Sequence, residues 1–290
     1  MTRRWWLGIA FTSPWLLGMA AFLAYPILAS LWYSFCSYSV LLPPVFVGFD
    51  NYAELAGDGL FWQSLWNTSC FAMGSVALGL VVSLGLAMLL NCRLRGQAVY
   101  RTLFFLPTLM PVVAGSMLWM WLFNADGGLI NHLLGAIGID GPTWLSNPFW
   151  IKPALILMTV WGAGHAMIII LAGLQDVPES LHEAALLDGA NWWQRFRHIT
   201  VPMLTPVLYF TTIMGIITGF QVFAQPFIMF GEEGGTGRAG LMYVLHLYNT
   251  AYGDLRMGLA CAMAVILFVL VIGLTTAMHL ISRRWVHYDR

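Results

Sequence analysis

The chain has 290 residues, 59% of them hydrophobic and only 9% charged, with a formal net charge of zero and a mean hydropathy of +0.75. Such a composition lies far outside the soluble range and defines an integral membrane protein. With no run of like charge, a nucleic-acid or acidic-substrate partner has no electrostatic support.

A bilayer core about 30 Å thick needs roughly 20 mostly apolar residues per helix. Six segments meet that requirement, at 7–34, 66–91, 102–123, 153–174, 206–230 and 257–281. Irregular backbone cannot face lipid, so the spans are expected to be helices, and the polar stretches between them read as loops. The predicted fold is an all-α membrane protein with a single transmembrane domain over residues 1–290. The start, MTRRWW, has the basic character of a signal peptide. Its apolar run is too long and lacks a small-residue cleavage site, so it reads as a retained first span.

Along the spans, Pro14 and Pro26 in the first and Pro107 and Pro111 in the third remove backbone donors and predict kinks. Ser75, Gly79 and Ser83 recur at four-residue spacing in the second span, predicting a face for close helix packing. Cys36, Cys70, Cys92 and Cys261 are scattered, with no CxxC and no histidine at ligand spacing, so no disulfide framework or metal site is expected.

Orientation follows from the basic residues. Arg3, Arg4, Arg93, Arg95, Arg101, Arg195, Arg197, Arg283, Arg284 and Arg290 fall on one side of a six-span arrangement, against Lys152, Arg238 and Arg256 on the other. Basic loops stay inside, so both termini and the loop between spans four and five are predicted to be cytoplasmic. Segments 36–64, 124–152 and 231–256 would lie outside.

All thirteen acidic residues fall in loops or tails, leaving no carboxylate within a span to carry a proton or bind sodium. A single-chain secondary carrier or channel is therefore disfavoured. Lys152, the only lysine, lies in KPAL, so the phosphate-binding GxxxxGK[ST] loop is absent and the chain cannot be its own ATPase. Neither HExxH, GxSxG nor a buried acid pair occurs, and an intramembrane enzyme is a poor reading.

The loop QDVPESLHEAALLDGA has a helix start at Pro178, acids toward the positive helix end at Glu179 and Glu183, and a stop at Gly189, giving a helix of about eleven residues. Ala184, Ala185, Leu186 and Leu187 form a small apolar surface flanked by Glu183 and Asp188, suited to docking against another protein. The competing reading is a helix lying on the inner membrane surface, but such helices carry Lys and Arg on their polar face. Asn191 is predicted to cap a second short helix, NWWQRFRHITVP, with Pro202 marking a break before span five.

The stretch EAALLDGANWWQRFRHITVP resembles the EAA loop of ABC-importer permeases, matching at Glu183, Ala184, Ala185, Asp188, Gly189, Ala190, Phe196, Ile199 and Pro202. Further stretches, YPILASLWYSF, VGFDNYAEL, SLWNT, RTLFFLPTLMP, the region Trp119 to Phe123, GGLINHLL and RRWVHYD, resemble the branch similar to the larger maltose-permease subunit. The loop GEEGGTGRAG departs from that pattern, lacking its proline.

The resemblance implies the type I importer architecture, with a coupling helix between spans four and five. It implies one permease half, paired with a second homologous permease subunit, a cytoplasmic ABC ATPase dimer and an extracytoplasmic solute-binding protein. ATP and magnesium would be bound by the ATPase, with no cofactor in this chain. The setting would be a bacterial or archaeal plasma (inner) membrane. Glu183, Ala184, Ala185, Asp188 and Gly189 would form the ATPase-coupling site.

A sugar is held by amides, hydroxyls and aromatic faces. Trp161 and His165 in span four, and Thr218, Gln221 and Gln225 in span five, supply such groups at mid-depth, each pair four residues apart. They are the candidate substrate pathway, although polar residues in spans also serve as links between helices. A sugar or oligosaccharide is the expected solute. Glycerol-3-phosphate or another polyol is the alternative, and a non-transporting subunit that anchors an ATPase is a third reading.

Overall fold

The computed structural model describes residues 2–92 and 95–283. Arg93, Arg284 and Arg290, and the RRWVHYD stretch beyond Arg283, lie outside the described residues. Four helices are long and apolar enough to cross a membrane: Ile9–Tyr33, Gly59–Asn91, Trp192–Phe220 and Met257–Ser282. Two bent pairs bring the number to six, Gln97–Leu109 with Val112–Leu122, turning through 98°, and Pro148–Trp161 with Gly164–Gln175, turning through 50°. The chain divides into two compact units, with boundaries at Phe61/Trp62, Leu245/His246 and Leu270/Val271.

In the unit that holds the first span, Pro14 cannot donate to the Ala10 carbonyl four residues back. The Ser13 hydroxyl donates to it instead, at 2.8 Å. Before Pro26 the helix widens into a π-turn at Ala20–Ala24, which accommodates the missing donor without ending the helix. After Tyr33 the chain forms a two-stranded antiparallel hairpin, Cys36–Ser39 with Leu42–Phe46, a small departure from the helical pattern. The VGFDNYAEL stretch then has a clear structural task. Asn51 Nδ2 donates to the carbonyls of Ser34 and Cys36, at 2.8 and 2.9 Å, and the Tyr52 hydroxyl donates to Ser34 Oγ at 2.8 Å. Helix Asp50–Gly57 is thereby clamped to the end of the first span. Arg256 grips Glu54 with both guanidinium nitrogens, at 2.6 and 2.5 Å.

In the other unit a core of Ala87, Leu90, Met167, Ile170, Leu171, Leu174 and Leu204 joins helices Gly59–Asn91, Gly164–Gln175 and Val201–Phe220. Gly173 permits this approach, since a β-carbon there would stand 2.8 Å from Val207 Cγ2. The SLWNT stretch pins the glycine-rich loop that lacks the expected proline. Asn67 Nδ2 donates to the carbonyls of Arg238 and Leu241, Gln63 to that of Gly237, and the Thr68 hydroxyl accepts from the Tyr243 amide. The turns themselves come from positive φ at Gly231, Gly234, Gly235 and Gly237, a region open to glycine without steric cost.

Two sequence expectations need correction. Residues 206–230 do not form one helix: Val201–Phe220 ends at Gln221, and Ala224–Phe230 follows after Phe223, whose φ of −138° and ψ of −57° are not helical. Pro202 does not interrupt the chain either. Trp192–Phe220 is continuous, because a π-turn at Phe196–Thr200 takes up the lost donor just ahead of the proline.

Candidate functional site

The breaks in spans four and five open onto the same space. Helix Pro148–Trp161 stops at Gly162, where the Gly162 and Ala163 amides turn back to the Thr159 and Val160 carbonyls, and helix Gly164–Gln175 begins anew. The close approach that fixes this joint is backbone to backbone: a β-carbon on Gly164 would fall 2.2 Å from the Phe104 carbonyl oxygen. Beside it lies a cavity of about 740 Å³ bordered by helices Gly59–Asn91, Pro148–Trp161, Gly164–Gln175 and Val201–Phe220 and the break at 221–223.

His165, Thr218, Gln221 and Gln225 all line this cavity. Gln221 sits on the cap of one helix and Gln225 in the first turn of the next, so the break, rather than a shared helix face, brings them together. Trp161 is not among the lining residues. The helix breaks between Trp161 and His165, so their spacing no longer implies one face, and the Trp161 ring instead meets Trp119 edge-on at 5.8 Å.

Among the described residues, the cavity lining has no Lys, Arg, Asp or Glu. The Thr218 and Thr159 hydroxyls donate to carbonyls of their own helices, at 2.8 and 2.9 Å, which leaves their oxygen lone pairs to accept. The glutamine amides supply both donors and acceptors, and Phe210 and Phe223 supply ring surface.

Sequence reasoning missed one wall of this cavity. Ser75, Gly79 and Ser83 border it, and a β-carbon on Gly79 would meet nothing within 4 Å. The close packing expected of that face occurs at Ser83, whose hydroxyl donates to the Ala163 carbonyl, and one residue-step away, where Gly215 meets Val76 and Gly219 meets Ala72, each at 3.0 Å from an added β-carbon. The available signal was the lack of any bulky residue at 75, 79 and 83.

The loop helix between spans four and five runs from Glu179 to Leu187, nine residues, with Pro178 outside it in extended conformation. It buries none of its residues, and Leu187 is 91% exposed. Glu183, Ala184 and Ala185 lie within it and Asp188 caps its end. Gly189 takes φ +77°, its amide donating to the Leu186 carbonyl while that of Ala190 reaches Ala185. This pair of bonds is the Schellman closure of a helix. Two residues on, the Asn191 side chain accepts from the Gln194 amide at 2.9 Å and the Gln194 side chain from the Asn191 amide at 2.7 Å, a reciprocal capping box. The bend at Gly189 is thus fixed by hydrogen bonds on both sides.

The broken spans thus enclose a cavity that is apolar over most of its lining, with amide, imidazole and hydroxyl groups at a few points, the usual make-up of a small-molecule site. Residues 79–287 match the family described as binding-protein-dependent transport system inner membrane component, and the chain belongs to that family. It is 41% identical over 285 residues, 97% of this chain and 92% of the relative, to the probable ABC transporter permease protein YesP of Bacillus subtilis (strain 168). It is 33% identical over 267 residues, 91% of this chain and 86% of the relative, to the sulfoquinovosyl glycerol transport system permease protein SmoG of Agrobacterium fabrum (strain C58 / ATCC 33970). A chain in the crystal structure of a bacterial ABC transporter involved in the import of the acidic polysaccharide alginate has the same fold, with a TM-score of 0.85 at 23% identity, covering 97% of this chain and 96% of that one.

Proposed function

We propose that the chain forms one half of the translocation pathway of an importer for a sugar or oligosaccharide, with the other half supplied by a second homologous permease subunit. The observation that carries this reading is the cavity of about 740 Å³, lined by His165, Thr218, Gln221 and Gln225 without a charged side chain among its described residues. Neutral amides and hydroxyls suit the hydroxyl groups of a sugar, whereas a phosphate calls for arginine or lysine. That the 33% identical relative SmoG serves a sulfoquinovosyl glycerol transport system supports the sugar class.

Energy enters from outside the chain, which is a permease and not an enzyme. Helix Glu179–Leu187, none of whose residues is buried, docks on a cytoplasmic ABC ATPase dimer that binds ATP and magnesium. An extracytoplasmic solute-binding protein delivers the solute, and both termini of this multi-pass chain are cytoplasmic. Residues 1–290 act as one transmembrane permease domain. When the ATPase subunits close, the docked helices approach each other and the broken spans rock between inward-open and outward-open states. Glu183 pairs with a basic ATPase residue, and the doubly capped bend at Gly189 carries the movement into span five.

Uptake of labelled disaccharide and of glycerol-3-phosphate by the reconstituted complex tests the proposal. Saturable, ATP-dependent disaccharide uptake is expected, lost in Glu183→Arg together with ATPase co-purification. Uptake of glycerol-3-phosphate alone would reassign the solute. Transport by this chain without an ATPase would make it a carrier.

A further inference from the structure

The continuous helix Trp192–Phe220 is longer than a bilayer core requires. Its 29 residues span ~43 Å at about 1.5 Å per residue, against about 30 Å of hydrocarbon. The apolar segment continues past Phe220 into Ala224–Phe230, so the surplus falls at the Trp192 end. The first two turns therefore stand at the level of the lipid headgroups.

Their composition matches that level. Trp192 stacks on Phe196 with ring centroids 5.5 Å apart and planes within 2°, and Trp193 lies 5.4 Å from the same ring. Trp192 and Trp193 are 59% and 56% exposed. Trp192, Trp193 and Phe196 form one ring cluster, with Arg195 just before Phe196 and Arg197 just after it, in the π-turn. Amphipathic rings between cations are the arrangement of a segment seated among phosphates. Arg195 Nε is itself buried and without a hydrogen-bond partner among the described residues, so a phosphate would be met by the terminal guanidinium nitrogens.

Charge separation adds an independent argument. The helix before the Gly189 bend carries Glu179, Glu183 and Asp188, while the segment after it carries Arg195 and Arg197. A negative surface attracts the second and repels the first. Seating the arginines on such a surface turns the acidic helix away from the bilayer.

We propose that Trp192, Trp193, Phe196, Arg195 and Arg197 form a binding site for anionic phospholipid of the inner leaflet, which orients the neighbouring docking helix. The proposal rests on the reading of Glu179–Leu187 as a cytoplasmic docking helix.

The test uses the full complex in nanodiscs of phosphatidylcholine with and without phosphatidylglycerol. Retained phosphatidylglycerol is counted by native mass spectrometry, and ATPase co-purification is measured in parallel. Arg195→Gln/Arg197→Gln is expected to weaken retention about 5-fold per arginine while the ATPase stays bound. Arg195→Lys/Arg197→Lys, which keeps the charge, is expected to restore most of it, and Trp192→Ala/Trp193→Ala to lower it with both arginines in place. Wild-type retention in the glutamine variant would overturn the site. Loss of the ATPase with lipid retention unchanged would also overturn it, assigning the surface to a protein contact. The docking reading fails separately, if Glu183→Arg keeps its ATPase whatever the lipid.

Discussion

The Ser83 hydroxyl, on helix Gly59–Asn91, donates at 3.1 Å to the carbonyl of Ala163, the residue at which the fourth span is broken. Ser83 is fully buried, so this bond fastens the joint where the cavity opens. Ser83→Ala removes a buried hydrogen bond worth about 1 kcal/mol. The expected result is a modest fall in the melting temperature of the purified complex, with the fold retained.

Two glycines, Gly164 at the joint beside the cavity and Gly79 on its border, are expected to respond differently to the same change. In Gly164→Ala the new β-carbon falls on the Phe104 carbonyl oxygen and the Phe105 backbone, which cannot rotate away. Forcing those helices apart costs about 1–3 kcal/mol. Gly79→Ala adds the same atom to open space and should leave stability unchanged, whereas Gly79→Leu narrows the cavity and slows uptake. Thermal denaturation and solute uptake, measured on all three, separate packing from passage.

Gly189 holds φ +77°, a conformation that costs a residue with a β-carbon about 1–2 kcal/mol. No neighbouring atom crowds it, so the penalty is conformational alone. Gly189→Ala should loosen the bend and lower solute-stimulated ATP hydrolysis more than it lowers ATPase binding. Gly189→Asn, which tolerates positive φ better, should recover part of the loss.

Glu54 is expected to add a pH dependence to the stability of the segment around helix Asp50–Gly57. Its hydrogen bond to the Arg256 guanidinium holds the carboxyl below its ordinary value, opposed in part by desolvation. A depressed carboxylate stabilises the folded state above its unfolded pKa, and that contribution disappears as pH falls through the depressed value. Both side chains are about half exposed, 47% and 48%, so the pair contributes no more than about 1 kcal/mol. Glu54→Gln should melt slightly lower than the parent chain at neutral pH, and the difference should vanish in acid.

The helix termini at the loop were legible because capping chemistry is local. Gly189 with the preceding helix, and Asn191 with Gln194, carry their hydrogen bonds within a few residues of chain. The cavity was only partly legible. His165, Thr218, Gln221 and Gln225 stood out as polar groups in apolar runs, but periodicity assumes an unbroken helix, and the breaks at Gly162–Ala163 and Gln221–Phe223 shift the register. Trp161 was misassigned to the His165 face for that reason. Ser75, Gly79 and Ser83 were read as packing, which holds at Ser83 but not at Gly79, because small residues permit either a neighbour or a space. Which of the two occurs depends on helices distant in sequence. The hairpin at 36–46 gave no signal of its own, since Pro43 and Pro44 sit in its second strand.

At Pro206 the proline leaves the Pro202 carbonyl without its amide partner, and the Thr205 hydroxyl takes that place at 2.6 Å, as Ser13 does for Ala10 ahead of Pro14. A carbonyl bonded to a rotatable side chain is not tied to one helical pitch. The helix can therefore change its curvature around Pro206 while the Pro202 carbonyl keeps a partner. The chain carries, at its own hinge points, the solvation that water would otherwise have to supply.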